Sequence, residues 1–463
     1  MSDGTPPLNP ARMPATAPEW FQIANQLRDS GRLAEASQAY RHALAFDPGF
    51  VGAYVNLGTA YAMQGSWTEA LAAYRQAIGL APDVAIFHYN LGAAAEMAGH
   101  WNEAMAAHQR AVELNPDDAM MLNHLGMAQI HSGLPSEGIA SIRRAVSLRP
   151  DDPLMHWSLS TALLSVGYWE EGWREYEWRL AAHNGKLDSR FQQPKWDGSP
   201  IPGKTLLLHV EGGYGDALQF VRFVPLSVAS GATLILECQA GLFELFKQVP
   251  GVSKLIARGE ALPPFDVQIP LLSLPWVFGT TERTIPARSP YLVAPVDRVE
   301  KFLRKLSRFT GLKVGLVWAG QARRDEARTR TLDIFSPLAA IPGVTFFSVQ
   351  KGAETAQKPP AGMNLIDLTA DIADFADAAG LLANLDLLIS VDTAAAHLAG
   401  AMGKAVWTLI PFWIDYRWLL DREDSPWYPS MRLFRQTYGN NWQNPIERIA
   451  GELRKLVTER ESA

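Results

Sequence analysis

Along the first third of the chain, apolar and small residues return with a step of 34 positions. Leu57, Leu91, Leu125 and Leu159 are in phase, as are Gly58, Gly92 and Gly126, with Ser160 in the next place. Ala36, Ala70 and Ala104 form another column that Gly138 and Gly172 continue. Ala43, Ala77, Ala111 and Ala145 form a third, and Gly31, Gly65, Gly99, Gly133 and Gly167 a fourth. Pro48, Pro82, Pro116 and Pro150 close the segments. Small residues at fixed places let two helices touch, large ones fill between them, and proline marks the turn into the next unit. The pattern therefore predicts about five helix-turn-helix units between Pro18 and Asn184.

Beyond Asn184 the step is lost, and short apolar runs alternate with amphipathic segments. Strands are predicted at 204–210, 232–238, 265–269, 313–318, 344–349, 387–391, 405–410 and 431–435. Helices are predicted at 216–228, from about 333, at 393–402 and at 444–458. Two successive alternating sets imply two doubly wound α/β units with a cleft between them. The organisation expected is a polar, proline-rich leader without order (1–17), repeats (18–190) and a Gly-, Pro- and Asp-rich linker (191–203). A first Rossmann-like domain (204–295) and a second (296–463) follow, the last helix being a candidate to cross back to the first.

A 34-residue unit has the length of the tetratricopeptide repeat. One helix pair cannot bury its apolar face alone, so such units stack into a superhelix with a concave groove. The groove suits an extended peptide or a partner helix; the other reading is that the array props up the rest of the chain or dimerises. His88, His108, His124 and His131 fall at helix positions with no Cys or Glu at metal-ligand spacing, and are expected to pack or face solvent. The formal net charge of -6 leaves no basic footprint for nucleic acid. The single Cys238 excludes an internal disulfide and suits a reducing compartment. No apolar run approaches the roughly 18 residues of a membrane span, and a cytoplasmic location is expected.

Two turns sit where α/β folds bind ligands, just after the carboxyl end of a strand. In Glu211-Gly-Gly-Tyr-Gly-Asp216, Gly212, Gly213 and Gly215 let the backbone turn and approach a ligand, and Asp216 opens a helix as either a cap or a catalytic base. A nicotinamide fingerprint needs a glycine where Leu218 stands, and no Gly-Lys-Ser/Thr follows for a P-loop. In Ser390-Val-Asp-Thr-Ala-Ala-Ala-His397, free N–H groups at a helix start and the small Thr393, Ala394 and Ala395 suit a diphosphate. Asp392 would cap the helix or hold a ribose hydroxyl. His397 would point to the ligand or pack inside.

The stretch SVDTAAAHLAGAMGKAVWTLIPF, with EGGYGDALQFVRFVPL upstream and VGLVWAG between, resembles the bacterial tetratricopeptide proteins whose carboxyl half is similar to family 9 heptosyltransferases. The likeness covers Trp196 to the C-terminus, and with the repeats nearly the whole chain. It implies the GT-B fold of two Rossmann-like domains and a nucleotide-diphosphate sugar as donor. By the same resemblance Asp216 is the base that deprotonates the acceptor hydroxyl, and Asp392, Thr393, Ala394, Ala395 and His397 contact the donor diphosphate and sugar. The family's phosphate-binding lysine is missing after the strand at 313–318, where four arginines stand and Arg323, Arg328 or Arg330 is the candidate for bidentate phosphate contact. Their other reading is an exposed charged loop. Downstream, Asp415, Arg417 and Trp418 on one loop, and Trp427 and Tyr428 on another, would either stack a base or sugar or pack the domain interface.

The chemistry implied is sugar transfer to an acceptor hydroxyl with inversion. Helix N–H groups and arginines would stabilise the leaving diphosphate, with no metal and no cofactor, and no Asp-x-Asp occurs in the chain. Repeats beside a transferase cleft suggest a protein or peptide acceptor, reminiscent of the O-linked N-acetylglucosamine transferases, whereas family 9 members modify lipid-linked saccharides. The alternative is an interaction scaffold that carries a degenerate transferase domain. The donor and the oligomeric state are left open.

Overall fold

The structure, a computed structural model, describes residues 14–182, 190–320, 331–411, 415–420, 422–436 and 442–462. Two compact units divide it, Met1–Leu159 and Ser160–Ala463; the division falls ahead of the linker at 191–203.

The first unit is a stack of helix pairs: α1 (Ala17–Asp29) with α2 (Leu33–Phe46), α3 (Val51–Met63) with α4 (Trp67–Leu80), α5 (Ala85–Met97) with α6 (Trp101–Leu114), and α7 (Ala119–His131) with α8 (Pro135–Leu148). Each pair turns on a glycine in the left-handed region, Gly31, Gly65, Gly99 and Gly133 having φ between +75° and +83°. The small columns read from the sequence lie at the helix contacts: Ala36, Ala70, Ala104, Ala43, Ala77, Ala111 and Ala145 are fully buried. At Gly58 a Cβ would lie 2.7 Å from the Tyr74 ring, so this position tolerates nothing larger.

The histidines pack or lie part exposed as expected, but two of them also meet a glutamate. Glu96, His108 and His124 are far apart in sequence, yet stacking of α5, α6 and α7 brings their side chains together. His108 Nε2 lies 3.1 Å from one Glu96 carboxylate oxygen and His124 Nδ1 3.1 Å from the other. The absence of a glutamate at local metal-ligand spacing was therefore no guide, because the pairing crosses helices. His131 stacks on Trp101, with ring centroids 3.9 Å apart, and His88 Nε2 bonds the Pro82 carbonyl.

The second unit contains two parallel sheets. The first holds β1 (Thr205–His209), β2 (Thr233–Cys238), β3 (Val252–Ala257) and β4 (Val267–Pro270) in the order β3-β2-β1-β4. The second holds β5 (Leu312–Val317), β6 (Val344–Ser348), β7 (Leu365–Asp367), β8 (Leu387–Val391), β9 (Val406–Ile410) and β10 (Met431–Arg435), in the order β10-β9-β8-β5-β6-β7. Counted from β5 this is the 3-2-1-4-5-6 order of dinucleotide-binding folds. Its ligand crevice opens where the order reverses, at the carboxyl ends of β5 and β8. The first sheet repeats the 3-2-1-4 part of that order.

Four features differ from the sequence reading. The helix expected at 216–228 is broken, running as Tyr214–Phe220, a 3-10 turn at Val221–Phe223 and one further turn at Val224–Ser227. The segment after Asp333 forms only a 3-10 turn, Leu332–Phe335, and a one-turn helix, Ser336–Ala339, hemmed in by Pro337 and Pro342. β3, β7 and the helices Val296–Leu306 and Phe375–Ala383 were not anticipated. The last helix, Gln443–Glu461, does not cross back: Ile446, Ile449 and Leu453 are buried in one cluster with Val314, Leu316 and Phe346 of the second sheet.

Candidate functional site

The site is built from the strand ends upward. A cavity of about 910 Å³ opens at the carboxyl ends of both sheets. Gly213, Tyr214, Gly215 and Asp216, which follow β1, line one side. The facing wall is formed by Ala319 and Gly320 after β5, Gln350 and Lys351 after β6, and Asp392, Thr393, Ala394, Ala395 and His397 after β8. The two turns singled out in the sequence thus face one cavity. They also touch: a Cβ at Gly215 would lie 2.9 Å from the His397 ring, so the glycine is what lets the turns meet.

The first turn is held from beneath. Gly212 has φ +66°, and Glu211, 3% exposed, pairs with the buried Arg179, whose guanidinium also bonds Glu177 Oε1 at 2.8 Å and Ser273 Oγ at 2.9 Å. Burial works against ionisation of Glu211 and raises its pKa, while burial of Arg179 is outweighed by its two carboxylate neighbours. Asp216 then caps its own helix, Tyr214–Phe220, by accepting the Gly213 N–H at 2.9 Å on Oδ2. Its other oxygen pairs with Arg417. Arg417 also bonds Asp415, at 3.0 and 3.1 Å, and Gln219 Oε1 at 2.9 Å. Burial opposes the Arg417 charge, yet Asp415 and Asp216 outweigh it and its pKa lies above that of free arginine. The cap is thus realised, and a cation that sequence reasoning left on a stacking loop neutralises the carboxylate.

The second turn opens the helix Ala394–Ala401. Thr393 occupies the N-cap position without capping the first turn; its Oγ1 pairs with Ser390 Oγ at 3.1 Å. The small first-turn residues Ala394 and Ala395 face the cavity. Asp392 lines the cavity, is 5% exposed, and accepts the Trp418 indole N–H at 3.1 Å on Oδ2. His397 is held by Tyr428 Oη at 2.8 Å and stacks on Trp418, with centroids 5.5 Å apart. Trp418, Trp427 and Tyr428 are at most 1% exposed. These aromatics pack inside the unit, and none lines the cavity.

Gly213, Gly215, Asp216, Asp392 to Ala395, His397, Asp415 and Arg417 are therefore brought together, while the exposed Gly212 and the buried Trp418 do not line the cavity. Arg323, Arg328 and Arg330 lie outside the described residues. Sequence reasoning missed Gln350 and Lys351. Gln350 Oε1 accepts the N–H groups of Trp318 and Ala319 at 3.0 and 2.9 Å and so fixes the loop after β5. Lys351 reaches the Thr369 and Ile372 carbonyls at 3.0 and 2.9 Å. The signal was their place directly after a buried strand, FFSVQK.

Comparison with known proteins bears first on the helical unit. Residues 24–65 and 60–99 match the TPR repeat family, and residues 89–153 match the tetratricopeptide repeat. The N-terminal unit carries tetratricopeptide repeats. Protein FlbA of Caulobacter vibrioides is 29% identical over 330 residues, which takes in 64% of this chain and 54% of FlbA. The chain thus spans about half the length of that curated relative. Because the repeat unit, Met1–Leu159, is only about a third of the 463 residues, the likeness runs on into the α/β unit. Among solved structures, MamA is 24% identical, covering 39% of this chain and 98% of its own, with a TM-score of 0.35. YrrB, described as a TPR protein with an unusual peptide-binding site, is 21% identical, covering 37% and 88%, with a TM-score of 0.33. Among the described residues no helix is long and apolar enough to cross a membrane.

Proposed function

We propose that the repeat unit recruits a protein or peptide and that the α/β unit is a GT-B-type glycosyltransferase, moving a sugar from a nucleoside-diphosphate donor to a hydroxyl of that partner. The observation that carries the reading is the shared cavity, with the Gly-Gly-Tyr-Gly-Asp216 turn on one side and the uncapped start of the helix Ala394–Ala401 on the other. Donors at a helix start and its dipole favour a diphosphate there without further special groups. Lys351 adds a cation at the same wall. Asp216 would accept the acceptor proton only after exchanging its contact with Arg417 or with Gly213, since each oxygen is engaged. On this reading substrate entry releases the carboxylate.

A second reading has an observation of its own. The double engagement of Asp216 is what a purely structural cap would show, and the family matches lie in the repeats. An interaction scaffold with an inert α/β unit fits both. Thermal-shift screening of the full chain against nucleoside mono- and diphosphates and their sugars separates the two. Saturation at a hundredfold excess over the dissociation constant adds about 2.7 kcal/mol of stability; a scaffold shows no shift with any of them.

A further inference from the structure

We propose that Glu96, His108 and His124 in the repeat unit bind a divalent transition metal ion of the zinc type. The inference is independent of the transferase reading, since all three residues lie in Met1–Leu159.

The geometry is the first support. One ligand atom from each residue lies within 4.8 Å of the other two, and both Glu96-to-histidine separations are 3.1 Å. Metal bonds of about 2.0–2.1 Å in a tetrahedral array set ligand atoms about 3.4 Å apart. The two 3.1 Å contacts run to different Glu96 oxygens, so through either oxygen one edge is already near this length, and the other two, each within 4.8 Å, close by small rotations of the carboxylate and imidazoles. Two imidazoles and a carboxylate form the ligand set of an open zinc site, with the fourth position left for water or a side chain of a bound partner.

Burial is the second. His108 is fully buried, and its Nδ1 has no hydrogen-bond partner, so the polar contact it makes runs through Nε2 into this cluster. A Cβ at Gly92 would lie 2.5 Å from its ring, which fixes the imidazole in place. Tyr89 walls the cluster, edge-on to His124 at 5.1 Å and tilted to His108 at 5.7 Å.

The third support comes from the repeat itself. At the position of His108 the other units carry Tyr40, Tyr74 and Ile142. At that of Glu96 they carry Arg28, Ala62 and Ile130, and at that of His124 Gln22, Asn56 and Asn90. A packing role needs no ligand atoms at any of the three columns. The columns meet at each repeat junction, as Arg28, Tyr40 and Asn56 and then Ala62, Tyr74 and Asn90, but a carboxylate and two imidazoles come together at the junction of α5, α6 and α7. A metal bound there would staple three helices of two successive repeats, an arrangement that adds binding energy to the folded array.

The repeat columns also supply the control variants. His108→Tyr installs the residue that Tyr40 and Tyr74 show to fit, and His124→Asn the one found at Asn56 and Asn90. Full-length protein is stripped with a chelator, dialysed, and titrated with Zn²⁺ against a chromophoric competitor; bound zinc is counted by plasma mass spectrometry, and circular dichroism checks helix content. The expected result is one Zn²⁺ per wild-type chain, affinity weakened at least about tenfold in each variant with helicity kept, and no response to Mg²⁺, which prefers oxygen ligands. Failure of the wild type to hold stoichiometric zinc, or wild-type affinity in His124→Asn, overturns the assignment. Should His108→Tyr lose helicity, His124→Asn alone decides, because His124 is already part exposed.

Discussion

Replacing Ala395 with aspartate sets the stability of the α/β unit against its proposed ligand. Ala395 stands in the first turn of the helix Ala394–Ala401, faces the cavity, and has room for a larger side chain on that side. An acid there complements the helix dipole, so the folded state gains about 0.3–1 kcal/mol. A bound diphosphate would meet the new carboxylate at about van der Waals range. One pair of like charges 4 Å apart costs about 1 kcal/mol in bulk water and about 4 kcal/mol near a protein surface. Binding should therefore weaken by a factor between about five and several hundred, because each 1.4 kcal/mol is tenfold. Denaturant unfolding measures the first effect, and calorimetric titration with the nucleoside diphosphate that gives the largest thermal shift measures the second. Unchanged affinity in a variant that is as stable as wild type, or more so, would refute the placement of the diphosphate at this helix tip.

Two further outcomes follow from the packing of the second unit. His209 is buried against Gln268, with Nε2 to Oε1 at 2.8 Å, and burial pushes its pKa down to about 4. A lowered folded value means the contribution is complete above the unfolded pKa of about 6.5 and is lost as the pH falls towards 4, so about 2 kcal/mol should be gone at pH 5. His209→Gln should flatten the acid side of the stability profile, and an unaltered profile would exclude this residue as the cause. Trp173, 1% exposed, donates its indole N–H to the Thr280 carbonyl at 3.0 Å and packs on Phe220, Tyr416 and Trp427. Trp173→Ala should cost about 3–5 kcal/mol, measured by urea unfolding followed through far-ultraviolet circular dichroism; a loss below about 1 kcal/mol would mean the cluster repacks.

The legible parts of this chain were those written in local order. The 34-residue step gave the helix pairs, because each unit repeats the same contacts between its own helices and the next. Most core strands were read correctly from their apolar runs, and both cavity turns from small residues placed after strands. β3 escaped because Ser253 and Lys254 break its apolar run at a sheet edge, and β7 because it has only three residues. Long-range pairing was not legible. Nothing local told that Arg417 would neutralise Asp216, that Trp427 and Tyr428 would be buried, or that Glu96 would meet two histidines from other helices. Those outcomes depend on which turn of which element faces which, and residue spacing along the chain carries no record of it.

Sugar transfer itself is the most direct test of the account. Proteins captured by the full chain are incubated with it and a panel of nucleoside-diphosphate sugars, then read by intact-mass spectrometry beside the same reactions run with Asp216→Asn. The expected result is a glycosyl mass increment on a captured protein with one donor, and its loss in the variant while donor binding persists. Equal transfer by Asp216→Asn, or tight donor binding with no increment on any captured protein, would contradict it.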